Sequence, residues 1–262
     1  MPEPRIALIT GAAVRIGRAL ALDLAAQGWG VGLHCRGSVG QAEELAGQIR
    51  AAGGKAAVLQ ADLTDAAALP RLVRDCAATL GLPTLLVNNA AMFVADEVAN
   101  LDSTLWDAQL AVNLRAPVFL AKYLAKALAA DLPAAATTAN IINIIDQRVW
   151  KPTPLYFSYT ASKLALWGAT RTLAQALAPR IRVNAIGPGP VLQGAHQTEA
   201  EFRAQCEATI LGRGTSPQEI AAAVRFILDA PAMTGQMIAL DGGQHLAWQT
   251  SDVDGSGVHR TS

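Results

Sequence analysis

The sequence is poor in the residues that staple a chain or give it a strong charge. It holds three cysteines in 262 residues, Cys35, Cys76 and Cys206, with no CxxC pair. So sparse and odd a set excludes a disulfide scaffold and suits a reducing compartment. The four histidines, His34, His196, His245 and His259, are equally scattered and read as ordinary surface or packing residues, so no metal is expected. Charged residues make up only 16% of the chain, and Lys+Arg and Asp+Glu balance at 21 each. A net charge of zero argues against nucleic acid or an anionic membrane surface as the main partner. No apolar run reaches the length of a membrane span. The start, MPEPRIALIT, lacks the apolar stretch that follows a basic start in a secretion signal. The expectation is a cytoplasmic protein acting on a small molecule.

Hydrophobic residues, by contrast, are abundant at 52%, enough to fold the whole chain around a large core. Short β-type runs at Arg5–Ile9, Val31–His34, Ala56–Gln60, Leu85–Asn88, Asn140–Ile145, Arg182–Ala185 and Met237–Leu240 alternate with Ala/Leu-rich helical stretches. The helices are expected near Ile16–Gln27, Gln41–Ala52, Ala66–Leu80, Ser103–Ala130, Tyr156–Leu177 and Pro217–Leu228. Strands that read as continuous apolar runs are buried on both faces, as in a parallel sheet covered by helices. The pattern predicts a Rossmann-type doubly wound α/β sheet of seven mostly parallel strands flanked by helices. No composition break divides it, so one domain is expected over 1–250, with a flexible tail over 251–262. The Gly/Pro-rich and then polar segment Gly187–Glu207 is long for a connection and reads as a lid or mobile loop.

The first strand runs into Thr10-Gly11-Ala12-Ala13-Val14-Arg15-Ile16-Gly17 and then a helix. A glycine turn feeding a helix N-terminus presents backbone N–H groups and the positive end of the helix dipole to a pyrophosphate. A carboxylate after the second strand would bind the ribose hydroxyls of NAD, whereas an arginine accommodates the extra phosphate of NADP. The strand here ends His34-Cys35-Arg36-Gly37-Ser38, with no carboxylate before Glu43, which favours NADP held by Arg36 and Ser38. Arg15 adds a second cation. Asp62 and Leu63 follow the third strand, where a carboxylate can accept from an adenine amine. Asn88-Asn89-Ala90 closes the fourth strand at the carboxyl edge, placing Asn89 and Ala90 beside the ligand.

The glycine turn, Asn88-Asn89-Ala90, Asn113 in Val112-Asn113-Leu114, Tyr159-Thr160-Ala161-Ser162-Lys163 and Pro188-Gly189 occur in this order. Over residues 5–248 the chain resembles the short-chain dehydrogenase/reductases. Arg15 in the glycine turn, the basic loop after the second strand, Phe93, and Asp146 thirteen residues before Tyr159 resemble more narrowly the pteridine reductases, dihydromonapterin reductases included. The resemblance implies NADP(H) as cofactor, with Pro188 and Gly189 among the residues that bind it and Lys163 on its ribose. It implies further that Phe93 and the nicotinamide sandwich a flat pterin, that Asp146 and Arg15 contact the ligand, and that Asn113 holds a water on the proton path. Helices 103–130 and 156–177 pack across a dimer axis in such proteins, so a homotetramer, or at least a homodimer, is expected, with Gly242–Trp248 near an interface. Ala91 departs from the pattern, standing where some pteridine reductases have serine.

The chemistry suits these residue types. Reduction by hydride needs a proton for the other atom of the double bond, and Tyr159 is the donor of choice. A free phenol has a pKa near 10, so the sequence predicts that Lys163, one helical turn away at i+4, lowers it. Asp146 takes the place of the usual serine. An ionised carboxylate only accepts hydrogen bonds and repels a developing oxyanion, so it favours a substrate with N–H donors or a protonatable ring nitrogen. The plainer alternative makes Asp146 a turn-capping residue. Phe93 and Trp150 flank the expected pocket mouth, to stack a flat ring or simply to pack the loops. Two rivals to a pterin reductase stand: a ketone or alcohol oxidoreductase of the same family, and a non-catalytic NADP-binding regulator. The retention of both Tyr159 and Lys163 disfavours the latter.

Overall fold

A computed structural model describes residues 5–131, 139–194 and 197–248. The tail from 249 onwards, His196 and His259 lie outside these residues. Seven strands, β1 (Ile6–Ile9), β2 (Gly30–Cys35), β3 (Lys55–Gln60), β4 (Leu85–Asn88), β5 (Ala139–Ile144), β6 (Ile181–Pro188) and β7 (Met237–Leu240), form one sheet in the order β3-β2-β1-β4-β5-β6-β7. Every adjacent pair is parallel. The strand order reverses between β1 and β4, and in such sheets the crevice beyond the carboxyl ends at that point receives the ligand.

The eight helices among the described residues are α1 (Arg15–Ala26), α2 (Val39–Ala51), α3 (Ala68–Leu80), α4 (Ser103–Leu110), α5 (Ala116–Asp131), α6 (Phe157–Leu177), α7 (Glu199–Glu207) and α8 (Pro217–Asp229). Successive strand residues point to opposite faces, so β1 feeds two cores at once. Ala7 and Ile9 join Leu20 and Leu24 of α1 and Ile220, Val224 and Ile227 of α8. Ile6 and Leu8 join Leu69 and Leu72 of α3 and Leu120, Leu124 and Leu128 of α5. This double burial is why the strands read as unbroken apolar runs.

Three local features differ from the sequence reading. The long stretch 103–130 is not one helix: five residues, Ala111–Arg115, form a π-helical turn between α4 and α5, placing Asn113 at the widened turn. Helix α6 begins at Phe157, because Tyr156 adopts a left-handed conformation (φ 57°). The segment Gly187–Glu207 is not loop throughout. β6 continues to Pro188 by pairing with Leu240, and Glu199–Glu207 is helical. The Thr198 hydroxyl accepts from Glu201 N–H while the Glu201 carboxylate accepts from Thr198 N–H, a reciprocal N-terminal cap written in the sequence as T-x-x-E.

Candidate active site

Two loops meet at the sheet's reversal point. Gly11 takes φ 62°, and a side chain there would meet Ala90 Cα at 3.0 Å. A Cβ on Gly17 would lie 2.1 Å from the Gly11 carbonyl, so only glycine lets α1 pack this closely on the turn. Asn89 braces the turn: its amide nitrogen donates to the carbonyls of Thr10 (2.9 Å) and Gly11 (3.0 Å), and Ala90 N–H donates to the Thr10 hydroxyl. Val14, the residue before α1, provides no side-chain cap, nor does Ser38 for α2, so first-turn N–H groups of both helices and the Ser38 hydroxyl stay available to an anion. A cleft of about 330 Å³ opens here, lined by Gly11, Arg36, Ser38, Asp62, Leu63 and Ala90 among others. Arg36 is exposed at its rim. Asp62 Oδ1 accepts from the backbone and hydroxyl of Thr64 (2.8 Å each), which holds its carboxyl below the usual range. These residues fit a phosphorylated dinucleotide. Arg15, which follows the turn at φ 54°, donates instead to the carbonyls of Leu192 (3.0 Å) and Gln193 (2.8 Å), tying the glycine turn to the loop after β6.

Asp146, Tyr159 and Lys163 converge at the ends of β5 and α6. The Tyr159 hydroxyl donates to Asp146 Oδ2 at 3.0 Å. Lys163 is buried and donates to the Ile144 carbonyl at 2.8 Å, with its Nζ 5.6 Å from the centre of the Tyr159 ring. Burial pushes Lys163 down to about 8, while the Asp146 carboxylate opposes the shift. The expected lowering of the Tyr159 pKa is reversed. Burial first, and then the Asp146 charge, push the phenol well above its ordinary value, against a smaller lowering by Arg148. Phe93 stacks on Tyr156 (4.3 Å between centroids, 4° between planes) and meets Tyr159 edge-on at 4.7 Å. Trp150 instead packs against His245 at 4.8 Å. The Asn113 side chain holds the loop under Phe93, accepting from Met92 N–H (2.8 Å) and donating to the Met92 carbonyl (2.9 Å) and the Ser162 hydroxyl (3.0 Å). Pro188 ends β6, and a side chain on the adjoining Gly187 would approach Asp146.

Known proteins share this fold. The family profile described as Enoyl-(Acyl carrier protein) reductase matches residues 11–245. The short-chain dehydrogenase/reductase eriH of Hericium erinaceus is 31% identical across 93% of this chain and 99% of its own length. The chain belongs to the short-chain dehydrogenase/reductase family. A 3-oxoacyl-(acyl-carrier-protein) reductase of Synechocystis is 30% identical over 91% of this chain and 96% of its own. The crystal structure of FolM alternative dihydrofolate reductase 1 from Brucella canis, complexed with NADP, superposes with a TM-score of 0.90 at 48% identity, covering 95% of this chain and 97% of that one. Its Brucella suis counterpart, also in complex with NADP, matches equally well, with a TM-score of 0.90 and 48% identity. The chain is thus an oxidoreductase of this family. No described helix is long and apolar enough to cross a membrane, and no described cluster of His, Cys, Asp and Glu is suited to a metal.

Four further residues shape this site in the short-chain dehydrogenase/reductase. Asp96, Tyr156 and Arg148 carried no role in the sequence reading, and His34 read as a surface or packing residue. His34 accepts from Gly11 N–H through Nδ1 (3.1 Å) and so donates through Nε2 to the Ala61 carbonyl (3.1 Å), bracing the cofactor turn as a neutral imidazole. Burial pushes its pKa down to about 4. Asp96, 4% exposed, accepts from the N–H (3.1 Å) and hydroxyl of Ser158 and thereby fastens the Phe93 loop to the first turn of α6. Tyr156 supplies the ring under Phe93. Arg148 donates its backbone N–H to Asp146 Oδ1 (2.8 Å) and its guanidinium to Oδ2 (3.3 Å). Its only sequence signal was the short Asp-Gln-Arg spacing. Asp146 therefore both caps the turn after β5 and faces Tyr159, so the two readings of it are compatible.

Proposed function

We propose that this enzyme uses NADPH to reduce a C=N bond of a pteridine, with Tyr159 as proton donor. The observation that carries the reading is the Asp146 carboxylate in hydrogen-bond contact with the catalytic phenol, where an acceptor of N–H groups serves a pterin better than a ketone. The solved relatives described as alternative dihydrofolate reductases in complex with NADP support it.

Gly11, Arg15, Ile16 and Gly17 would hold the pyrophosphate, Arg36 and Ser38 the extra phosphate, and Asp62 and Leu63 the adenine. Asn89, Ala90, Pro188, Gly189, Tyr159 and Lys163 would line the nicotinamide half. Bound NADPH supplies the hydride. Phe93, Arg15, Asp146 and Tyr159 orient the substrate, and the stacked Phe93–Tyr156 pair offers one aromatic wall. Because burial and the Asp146 charge raise its pKa, Tyr159 keeps its proton until the substrate nitrogen becomes strongly basic. It then delivers that proton to the nitrogen. Lys163 and Arg148, 5.6 and 6.0 Å from the ring centre, stabilise the phenolate left behind. Asn113 holds the Met92–Phe93 loop and a water at its remaining acceptor position.

The second reading is reduction of a ketone. Pairing with Arg148 offsets the Asp146 charge, which weakens the objection to a developing oxyanion. NADPH oxidation assayed with dihydropterins, dihydrofolate, quinonoid pterins and simple ketones separates the two. Turnover of dihydropterins, lost in Tyr159→Phe while NADPH still binds, is the expected result. Efficient ketone reduction with no pterin turnover would overturn it.

The assembly we infer is a cytoplasmic homotetramer. Supporting it are the three free cysteines and the exposed apolar side chains Leu246 and Trp248 near the C-terminal end. A monomeric mass by light scattering would count decisively against the tetramer.

A further inference from the structure

Arg148 stands in the active site with most of its capacity unspent. Its side chain is 19% exposed, and its guanidinium carbon lies 5.3 Å from the ring centres of both Phe93 and Tyr156. Those equal distances, against 4.3 Å between the two stacked rings, place the guanidinium beside the aromatic pair and leave the outer face of neither ring covered by it. A guanidinium carries five N–H donors in a fixed plane. Among the described residues it donates to Asp146 alone, through Nη1. Asp146 is close to saturation: Oδ1 takes the Arg148 backbone N–H, and Oδ2 takes both Tyr159 and Arg148 Nη1. Of the roughly four lone-pair positions on a carboxylate, one remains, on Oδ1. The wall beside Tyr159 therefore presents one acceptor next to several donors.

We propose that Arg148 determines specificity at this site by reading a carbonyl oxygen of the substrate while Asp146 reads the neighbouring ring N–H. This deepens, and rests on, the pteridine reading. The matching chemical class is the 4-oxopteridine, whose lactam edge sets an N–H beside a C=O. A 2,4-diaminopteridine presents an amine where the carbonyl would be, and so turns a donor towards the donors of Arg148. Arginine is suited to this discrimination because its planar donors are fixed in direction, whereas a lysine ammonium acts as a point charge.

The test uses two probes that differ at position 4 and in the proton on the adjoining ring nitrogen: 6-methylpterin, 4-oxo with N3–H, and 2,4-diamino-6-methylpteridine, 4-amino with N3 unprotonated. Each ligand is compared between the wild type and the Arg148 variants, which leave Asp146 in place. Each is titrated by fluorescence into the NADPH-loaded wild type, Arg148→Met and Arg148→Lys. In Arg148→Met the oxo ligand is expected to weaken by about tenfold or more, the loss of one charge-assisted hydrogen bond, while the diamino ligand holds or tightens. Arg148→Lys should recover part of the oxo affinity. NADPH affinity and the thermal midpoint, measured alongside, report whether the variants fold. Parallel weakening of both probes in a folded variant, or no change in either, overturns the role of Arg148 and leaves the pteridine reading intact. Failure of the wild type to bind either probe, or to turn over any dihydropterin, removes the pteridine reading and this proposal with it.

Discussion

Replacing His34 with a residue that does not titrate should flatten the acid limb of this protein's stability. His34 is 2% exposed and held as a neutral imidazole, its Nδ1 accepting from Gly11 and its Nε2–H donating to Ala61. Protonation would place a second N–H against the Gly11 N–H in a site with little water, and the pKa falls from 6.5 to about 4. Above pH 6.5 both folded and unfolded His34 are neutral, and the contribution is fully present. As pH falls from 6.5 towards 4, the unfolded chain takes up a proton that the folded chain refuses, so stability is lost across that window. At about 1.4 kcal/mol per unit, the loss is about 2 kcal/mol by pH 5 and roughly 3 kcal/mol in full. A glutamine can mimic the geometry, because its amide also has an acceptor and a donor. Urea unfolding of the wild type and His34→Gln at pH 7.5, 6 and 5 measures the effect. His34→Gln is expected to start less stable and then lose less on acidification, so that the gap narrows by about 2 kcal/mol between pH 7.5 and 5. Acid losses that run in parallel in the two proteins would refute the reasoning. NADPH affinity of the folded wild type should hold across that window and weaken only as pH falls through about 4, where folded His34 takes up its proton and Gly11 loses the acceptor that fixes its turn.

The extra phosphate supplies a second test: NADPH is expected to bind at least about tenfold, or 1.4 kcal/mol, tighter than NADH, and Arg36→Asp should erase or reverse that preference in a fluorescence titration. Asp96→Ala leaves the Ser158 N–H and hydroxyl without their acceptor at a buried helix start, and should cost about 1–3 kcal/mol by urea unfolding. The same variant should raise KM for a dihydropterin with little change in NADPH affinity, because Asp96 fastens the Phe93 loop and not the glycine turn. Gly17→Ala forces a Cβ into the Gly11 carbonyl, and should weaken NADPH binding and lower the thermal midpoint together.

The sequence by itself determined whatever is written in local periodicity. Parallel strands buried on both faces must be apolar throughout, so all seven were legible, as were the glycine turn between β1 and α1 and the i+4 pairing of Tyr159 with Lys163. Even the cap of α7 was there to be read in Thr198 and Glu201, although its polar composition suggested loop. Tertiary structure decided what depends on residues far apart in the chain. The bracing role of Asn89 is invisible until its amide is seen holding Thr10 and Gly11, and His34 reads as a packing residue until the glycine turn is laid against it. The direction of the Tyr159 shift followed the same rule. Spacing alone put a cation one turn away, but Lys163 donates to the Ile144 carbonyl, and desolvation and the Asp146 carboxylate thirteen residues earlier outweigh the opposing charge of Arg148. Hydrogen bonds and burial act over a few ångströms in space, so a sequence names the groups that can titrate or donate, and only the fold sets the partners and the dielectric that decide whether they do.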